Sequence, residues 1–182
     1  MAKILFISGS LRQESLNTKL LKICASITEK LGYTCESVSA QDLNVPLINP
    51  DIEKTNFPES IKKIAKLVQD SDAIIFATPE YNGGISPVLK NFVDWTSRLQ
   101  PHPWSKKNIF FTATSPGQFG AVQGMQHSRV PFDKLGAFVC PQSFALPYGD
   151  KEIDGIQLKD EKKQKILIEL LGNFLSFATG AK

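Results

Sequence analysis

Short apolar runs that do not alternate with polar residues constrain this chain most, because each ends abruptly in a loop of small polar residues that leads toward a helix-period segment. Ile4-Leu5-Phe6-Ile7 breaks into Ser8-Gly9-Ser10-Leu11-Arg12-Gln13-Glu14-Ser15-Leu16-Asn17-Thr18. Ala73-Ile74-Ile75-Phe76-Ala77 ends at Thr78-Pro79-Glu80-Tyr81-Asn82-Gly83-Gly84, and Asn108 to Ala113 ends at Thr114-Ser115-Pro116-Gly117-Gln118-Phe119-Gly120. Unbroken apolar runs belong to strands covered on both faces by helices, which is the situation in a parallel sheet.

The segments between the runs read mostly as helices. Leu16, Leu20, Ile23, Cys24, Ile27 and Leu31 recur at three-and-four spacing, which predicts a helix over 15–31 ended by Gly32. A second strand fits Tyr33 to Val38, and 40–57, with Pro46 and Pro50 and no periodicity, reads as a long connection of the kind that overhangs a site. Pro58 opens a helix with an inner stripe of Ile61, Ile64, Ala65 and Val68; Ser86 and Pro87 supply an N-cap and a first-turn proline for the next. A helix running to about Leu135, a last strand near Ala137 to Val139 and a helix carrying Ile166, Leu167, Leu170, Leu171, Phe174 and Leu175 complete the count. Strand and helix alternate five times, which predicts an α/β fold with an open, doubly wound parallel sheet and right-handed crossovers. Residues 1–182 suffice for a single domain with a sizeable core. In such sheets ligands bind beyond the carboxyl ends of the strands, where the three polar loops converge.

The first loop is suited to an anion. Backbone N–H groups at a helix start are unpaired and carry the positive end of the helix dipole. Ser10, Ser15 and Asn17 add short polar side chains, and Arg12 adds charge and a planar fork that fits phosphate oxygens. A plain N-cap is the alternative reading of these serines. The net charge of +3 is too small and too scattered for a nucleic-acid surface. The opening apolar run is shorter than a secretion signal and far below the roughly 20 residues of a membrane span, so a cytoplasmic protein without membrane attachment is expected. Cys24, Cys35 and Cys140 form no C-x-x-C pair and read as buried structural thiols. No Ser-His-Asp, G-x-S-x-G or H-E-x-x-H constellation is present, and no metal ligand set is expected.

Gly9-Ser10-Leu11-Arg12-Gln13-Glu14-Ser15-Leu16-Asn17-Thr18-Lys19-Leu20 is similar to G-S-x-R-x-x-S-x-N-x-x-L, and the stretch Pro79 to Trp95 resembles P-E-Y-N-x-x-x-P-x-x-L-K-N-x-x-D-W. Both are signatures of the flavodoxin-fold NAD(P)H-dependent FMN reductases, a family that includes quinone, chromate and azo-dye reductases. The resemblance implies a flavodoxin-like, five-stranded parallel sheet in the order 2-1-3-4-5 with helices on both faces. It also implies FMN as cofactor, NADPH or NADH as co-substrate, and a small-molecule electron acceptor. Hydride would pass to FMN and onward in a ping-pong sequence, with no catalytic side chain needed because a flavin carries the chemistry itself. Relatives are usually homodimers or homotetramers, which is the expected state here.

By the same resemblance, Ser10, Arg12, Ser15, Leu16 and Asn17 hold the FMN phosphate, Leu16 through its backbone. Pro79, Glu80, Tyr81, Asn82 and Gly83 border the isoalloxazine ring, largely through main-chain groups. The third loop departs from the glycine pair of many relatives, leaving Ser115 and Gly117 as its candidates and Phe119 as a residue that narrows access. Tyr81 either stacks beside the ring or closes a turn over the core. Glu80 is either a proton donor or an acceptor of backbone N–H bonds. His127 and Arg129 either meet nicotinamide dinucleotide phosphates or lie on a solvated helix face, and Asp94 and Trp95 read as packing and interface residues. His102 and Trp104, in the run Pro101-His102-Pro103-Trp104, read as a rigid exposed loop that belongs to a subunit contact. A flavodoxin-like electron carrier fed by a partner protein and a redox-silent nucleotide-binding module are the competing functions.

Overall fold

In the computed structural model, which describes residues 1–180, the first apolar run forms β1 (Lys3–Ser8), with Ile4 to Ile7 fully buried. Ser15 caps α1 (Leu16–Lys30), its Oγ accepting from the Thr18 N–H at 3.3 Å. Leu20, Ile23, Cys24 and Ile27 face inward as the spacing predicts, while Leu31 sits at the C-cap and is 43% exposed. The chain continues through β2 (Thr34–Val38), α2 (Pro50–Thr55), α3 (Glu59–Asp70), β3 (Ala73–Ala77), α4 (Pro87–Ser97), β4 (Asn108–Thr114) and α5 (Val122–Lys134). It ends with β5 (Phe138–Val139), β6 (Phe144–Leu146), α6 (Gly149–Glu152), β7 (Ile153–Asp154), β8 (Gln157–Leu158) and α7 (Glu161–Thr179). Among the described residues no helix is long and apolar enough to cross a membrane.

The main sheet is parallel and runs β2-β1-β3-β4-β5, the flavodoxin-like order. Successive strand residues point to opposite faces, and both faces are covered. Leu5, Ile7, Ile74, Phe76, Ile109 and Phe111 pack against Ile61, Ile64 and Val68 of α3, Leu89 and Phe92 of α4, and Met125 and Phe132 of α5. Ile4, Phe6, Ile75 and Phe110 pack against Leu20, Ile23 and Ile27 of α1 and Leu167, Leu171 and Phe174 of α7. Each fully buried Leu, Ile or Phe contributes about 1.5–3 kcal/mol relative to exposure. This two-sided burial explains why the strands read as continuous apolar runs.

The fifth strand position differs from the expected single strand. It is split, β5 pairing with the start of β4 and β6 with its end. Pro141 lies in the gap, and proline has no N–H to donate to a ladder. The Arg129 guanidinium fills in, donating to the carbonyls of Cys140 at 2.6 Å and Val139 at 3.2 Å. Arg129, half-buried, is therefore a structural clamp on this edge.

The connection 40–57 is not wholly irregular, since Asn49 caps α2 by accepting from the Asp51 N–H at 2.8 Å. None of the α2 residues is buried, so no apolar stripe marks it in the sequence. Asn91 and Trp95 hold the connection down: the Asn91 amide accepts from Ile48 N–H at 2.9 Å, and Trp95 Nε1 donates to the Pro46 carbonyl at 2.8 Å. Much of the L-K-N-x-x-D-W segment thus secures a loop, with Lys90 and Asp94 forming a surface ion pair beside it. Trp104 corrects another expectation. It is fully buried, donates to Thr96 Oγ1 at 2.8 Å and packs edge-on against Phe92 and Phe132. Cys24 is buried, whereas Cys35 and Cys140 are half-buried.

Candidate functional site

β1, β3 and β4 all end at one edge of the sheet, and the three loops that follow them meet there. Asn17 joins the first loop to the third. Its Oδ1 accepts from the Thr114 N–H and its Nδ2 donates to the Thr114 carbonyl, both at 3.0 Å and both buried. Its side chain thus anchors the loop with one Nδ2–H, while its second Nδ2–H and its backbone N–H in the first turn of α1 are further donors. Gln41, from the 40–57 connection, donates to the Leu11 carbonyl at 2.7 Å and braces the tip of the first loop.

The second loop is a tight turn. Tyr81 and Gly84 exchange backbone bonds of 3.1 and 2.9 Å, and Asn82 and Gly83 have φ of 51° and 76°. Positive φ at both central residues defines a type I′ turn, for which Asn-Gly is the favoured pair. The Gly84 N–H is consumed in this pairing, which leaves the Asn82 and Gly83 N–H groups as the donors the turn can present. Tyr81 is 55% exposed, so its ring does not cover the core. Glu80 accepts: its Oε2 takes the Gly124 N–H at 2.9 Å. The Gly83 carbonyl is held by His127 Nδ1 at 2.5 Å.

The third loop is folded onto the chain after β6. Ser115 and Gly117 carbonyls accept from Gly149 and Tyr148 N–H at 3.0 and 3.2 Å. Together the three loops enclose a cavity of about 420 Å³, within the range of small-molecule sites. Ser10, Arg12, Ser15, Leu16, Asn17, Pro79, Glu80, Tyr81, Ser115 and Gly117 all line it. Asn82 and Gly83 do not; they line an adjoining cavity of about 520 Å³ with Gln123, Gln126 and His127. Pro116 and Ala121 complete the first cavity without having been singled out in the sequence. Ala121 takes a left-handed φ of 65° before α5, and alanine gives no signal of such a bend. Phe119, 68% exposed, lines the same wall as Tyr81.

The donor set fits FMN. Arg12, the Ser10 and Ser15 hydroxyls and the α1 N-terminus gather positive potential at one part of the cavity, and exposed Tyr81 and Phe119 offer flat apolar surface in the same cavity. Glu80 is the sole acid on the wall, and its carboxylate is turned to a backbone N–H. A further cavity of about 610 Å³ lies at the split sheet edge, lined by Phe138, Phe174 and Phe177; its one charged residue is Asp133, which repels a phosphate.

Residues 2–151 match the family model described as NADPH-dependent FMN reductase. The chain is 36% identical over 130 residues to an NAD(P)H-dependent FMN reductase of Pseudomonas aeruginosa, covering 70% of this chain and 67% of the relative. It is 33% identical over 159 residues to an NADPH:quinone oxidoreductase of Arabidopsis thaliana, with 79% of each covered. Among solved structures it is similar to FerB, a flavoenzyme NAD(P)H:(acceptor) oxidoreductase from Paracoccus denitrificans. That likeness has a TM-score of 0.81 at 26% identity and covers 98% of this chain and 97% of that one. With its flavodoxin-like strand order, its match to the family model over most of its length and these relatives, the chain belongs to the NADPH-dependent FMN reductase family of flavin-dependent oxidoreductases.

Proposed function

We propose that residues 1–182 act as one FMN-binding domain that oxidises NAD(P)H and reduces a small acceptor such as a quinone. The observation that carries this reading is the convergence of Arg12, Ser10, Ser15 and the α1 N-terminus on the cavity that also holds Tyr81. Bound FMN supplies the hydride and electron transfer, as a flavin does in any such enzyme. Arg12 and the hydroxyls grip the phosphate, each charge-assisted bond contributing about 1.5–3 kcal/mol. The N–H groups of Leu16 and Asn17 complete that cradle, and Pro79, Glu80 and Tyr81 frame the ring. The Asn82 and Gly83 N–H groups, which border the adjoining cavity, meet the edge of a ring that reaches past Tyr81 and oppose the negative charge it gains on reduction. Ser115 and Gly117 close the third side, and Phe119 restricts entry.

A flavin stores the two electrons between the half-reactions, which supports a ping-pong sequence in which NAD(P)H leaves before the acceptor binds. We further propose a cytoplasmic homodimer or homotetramer working on small molecules, with no nucleic-acid or membrane partner. The scattered charge and the absence of a membrane-crossing helix among the described residues support the last point.

Anaerobic addition of NADPH or NADH to the FMN-loaded protein tests the proposal: the flavin bands bleach and return on addition of a quinone. Bands that persist with either nicotinamide identify a carrier fed by another protein. A preparation that stays colourless after incubation with excess FMN overturns the reading altogether.

A further inference from the structure

We infer that His127 is a positioning residue that sets the reduction potential of FMN through the Asn82–Gly83 turn, an inference that rests on the FMN-binding reading above. Three contacts tie α5 to that turn. The His127 ring meets the Gly83 carbonyl at 2.5 Å, and the Gly124 N–H donates to Glu80 Oε2 at 2.9 Å. The third is a close approach, for a Cβ on Gly124 would stand 2.7 Å from both Glu80 Cα and the Gly84 carbonyl oxygen. Only glycine lets the helix come this near.

A carbonyl oxygen only accepts, so Nδ1 of His127 carries a proton and donates. The bond holds the peptide between Gly83 and Gly84. The Gly84 N–H in turn holds the Tyr81 carbonyl at 2.9 Å, and so orients the peptide that bears the Asn82 N–H. Gly83 can adopt many backbone conformations on its own; the tether from α5 selects the one that leaves the Asn82 and Gly83 N–H groups outside the turn's own pairing. Reduction adds negative charge to the ring, so oriented donors favour reduced over oxidised FMN. His127 is exposed and contributes little to the core.

The test compares the wild-type chain with His127→Ala and His127→Asn, whose amide N–H reaches for the same carbonyl. Dissociation constants for oxidised and reduced FMN and the midpoint potential are measured for each. The alanine variant is expected to bind oxidised FMN within threefold of wild type and reduced FMN about tenfold more weakly. For a two-electron couple that lowers the potential by about 30 mV. The asparagine variant restores most of the difference. Without FMN, exchange of the Gly84 amide hydrogen is several-fold faster in the alanine variant at an unchanged thermal midpoint. Equal weakening of both redox forms, no weakening of either, or an asparagine variant no better than alanine overturns the role of His127 while FMN binding stands. A wild-type chain that binds no FMN overturns both.

Discussion

Asn17 and Thr114, 97 positions apart, exchange two buried hydrogen bonds of 3.0 Å that lock the first loop to the end of β4. The pair makes the first loop and the third loop one unit. Replacing Asn17 by alanine strands the Thr114 N–H and carbonyl in a buried place. A loss of about 2–4 kcal/mol is expected, since an unsatisfied buried group costs about 1–3 kcal/mol. Urea unfolding of the FMN-free chain measures it. Asn17→Asp keeps the acceptor, loses the donor and adds a negative charge beside the phosphate. It therefore weakens FMN more than it weakens riboflavin.

Arg12 is exposed and lines the cavity at the first loop, where the proposed function places the FMN phosphate. Arg12→Ala removes one charge-assisted contact, so FMN affinity falls by about 1.5–3 kcal/mol, or roughly 10- to 150-fold. Riboflavin, which has no phosphate, binds the variant as it binds the wild type. Fluorescence titration with both ligands separates this from a general loosening of the site, and the urea midpoint stays unchanged.

Trp95 ties the 40–57 connection to α4 through its bond to the Pro46 carbonyl, and its ring meets Phe57 edge-on with centroids 5.1 Å apart. Trp95→Phe keeps most of the packing and drops the bond. The expected cost is about 0.5–1.5 kcal/mol, the worth of one hydrogen bond, because the Pro46 carbonyl keeps the Asn91 Nδ2 donor at 3.0 Å. Limited proteolysis cuts the variant between residues 40 and 57 faster than the wild type.

Burial pushes the Cys24 thiol from 9.0 up to about 12, and burial together with the charge of Glu29 pushes Cys35 up to about 11. Folding therefore holds on to these protons. Below pH 9 the folded and unfolded chains both keep them and stability is unaffected. Above pH 9 only the unfolded chain releases them, so stability falls as pH rises through the window up to 11 or 12. The slope from Cys24 alone reaches at most about 1.4 kcal/mol per pH unit. Chemical denaturation between pH 8 and pH 11 shows this decline, and it is shallower in Cys24→Ala.

Strands and loops were legible because two-sided burial leaves an unmistakable trace: Ile4 to Ile7 and Ala73 to Ala77 are apolar at every position and buried at every position. Ser15 and Ser86 announced their helices because an N-cap is a local event, readable within three residues. What stayed hidden depends on distant partners. Trp104, following Pro103, looks exposed until the packing of Thr96, Phe92 and Phe132 around it is known. Arg129 looks like a free cation until the break at Pro141 supplies two carbonyls for it. The tie of Asn17 to Thr114 leaves no trace near either residue. The clamp of His127 on Gly83 spans 44 positions, and no local pattern announces it.

The break in the outermost strand has a consequence for the life of the chain in a crowded solution. With pieces of two and three residues on that side of β4, a stray extended polypeptide meets no continuous rail of free donors and acceptors onto which it could zip. Interrupted rims of this kind protect a sheet against templated self-assembly, and here Pro141 and Arg129 keep the interruption in place.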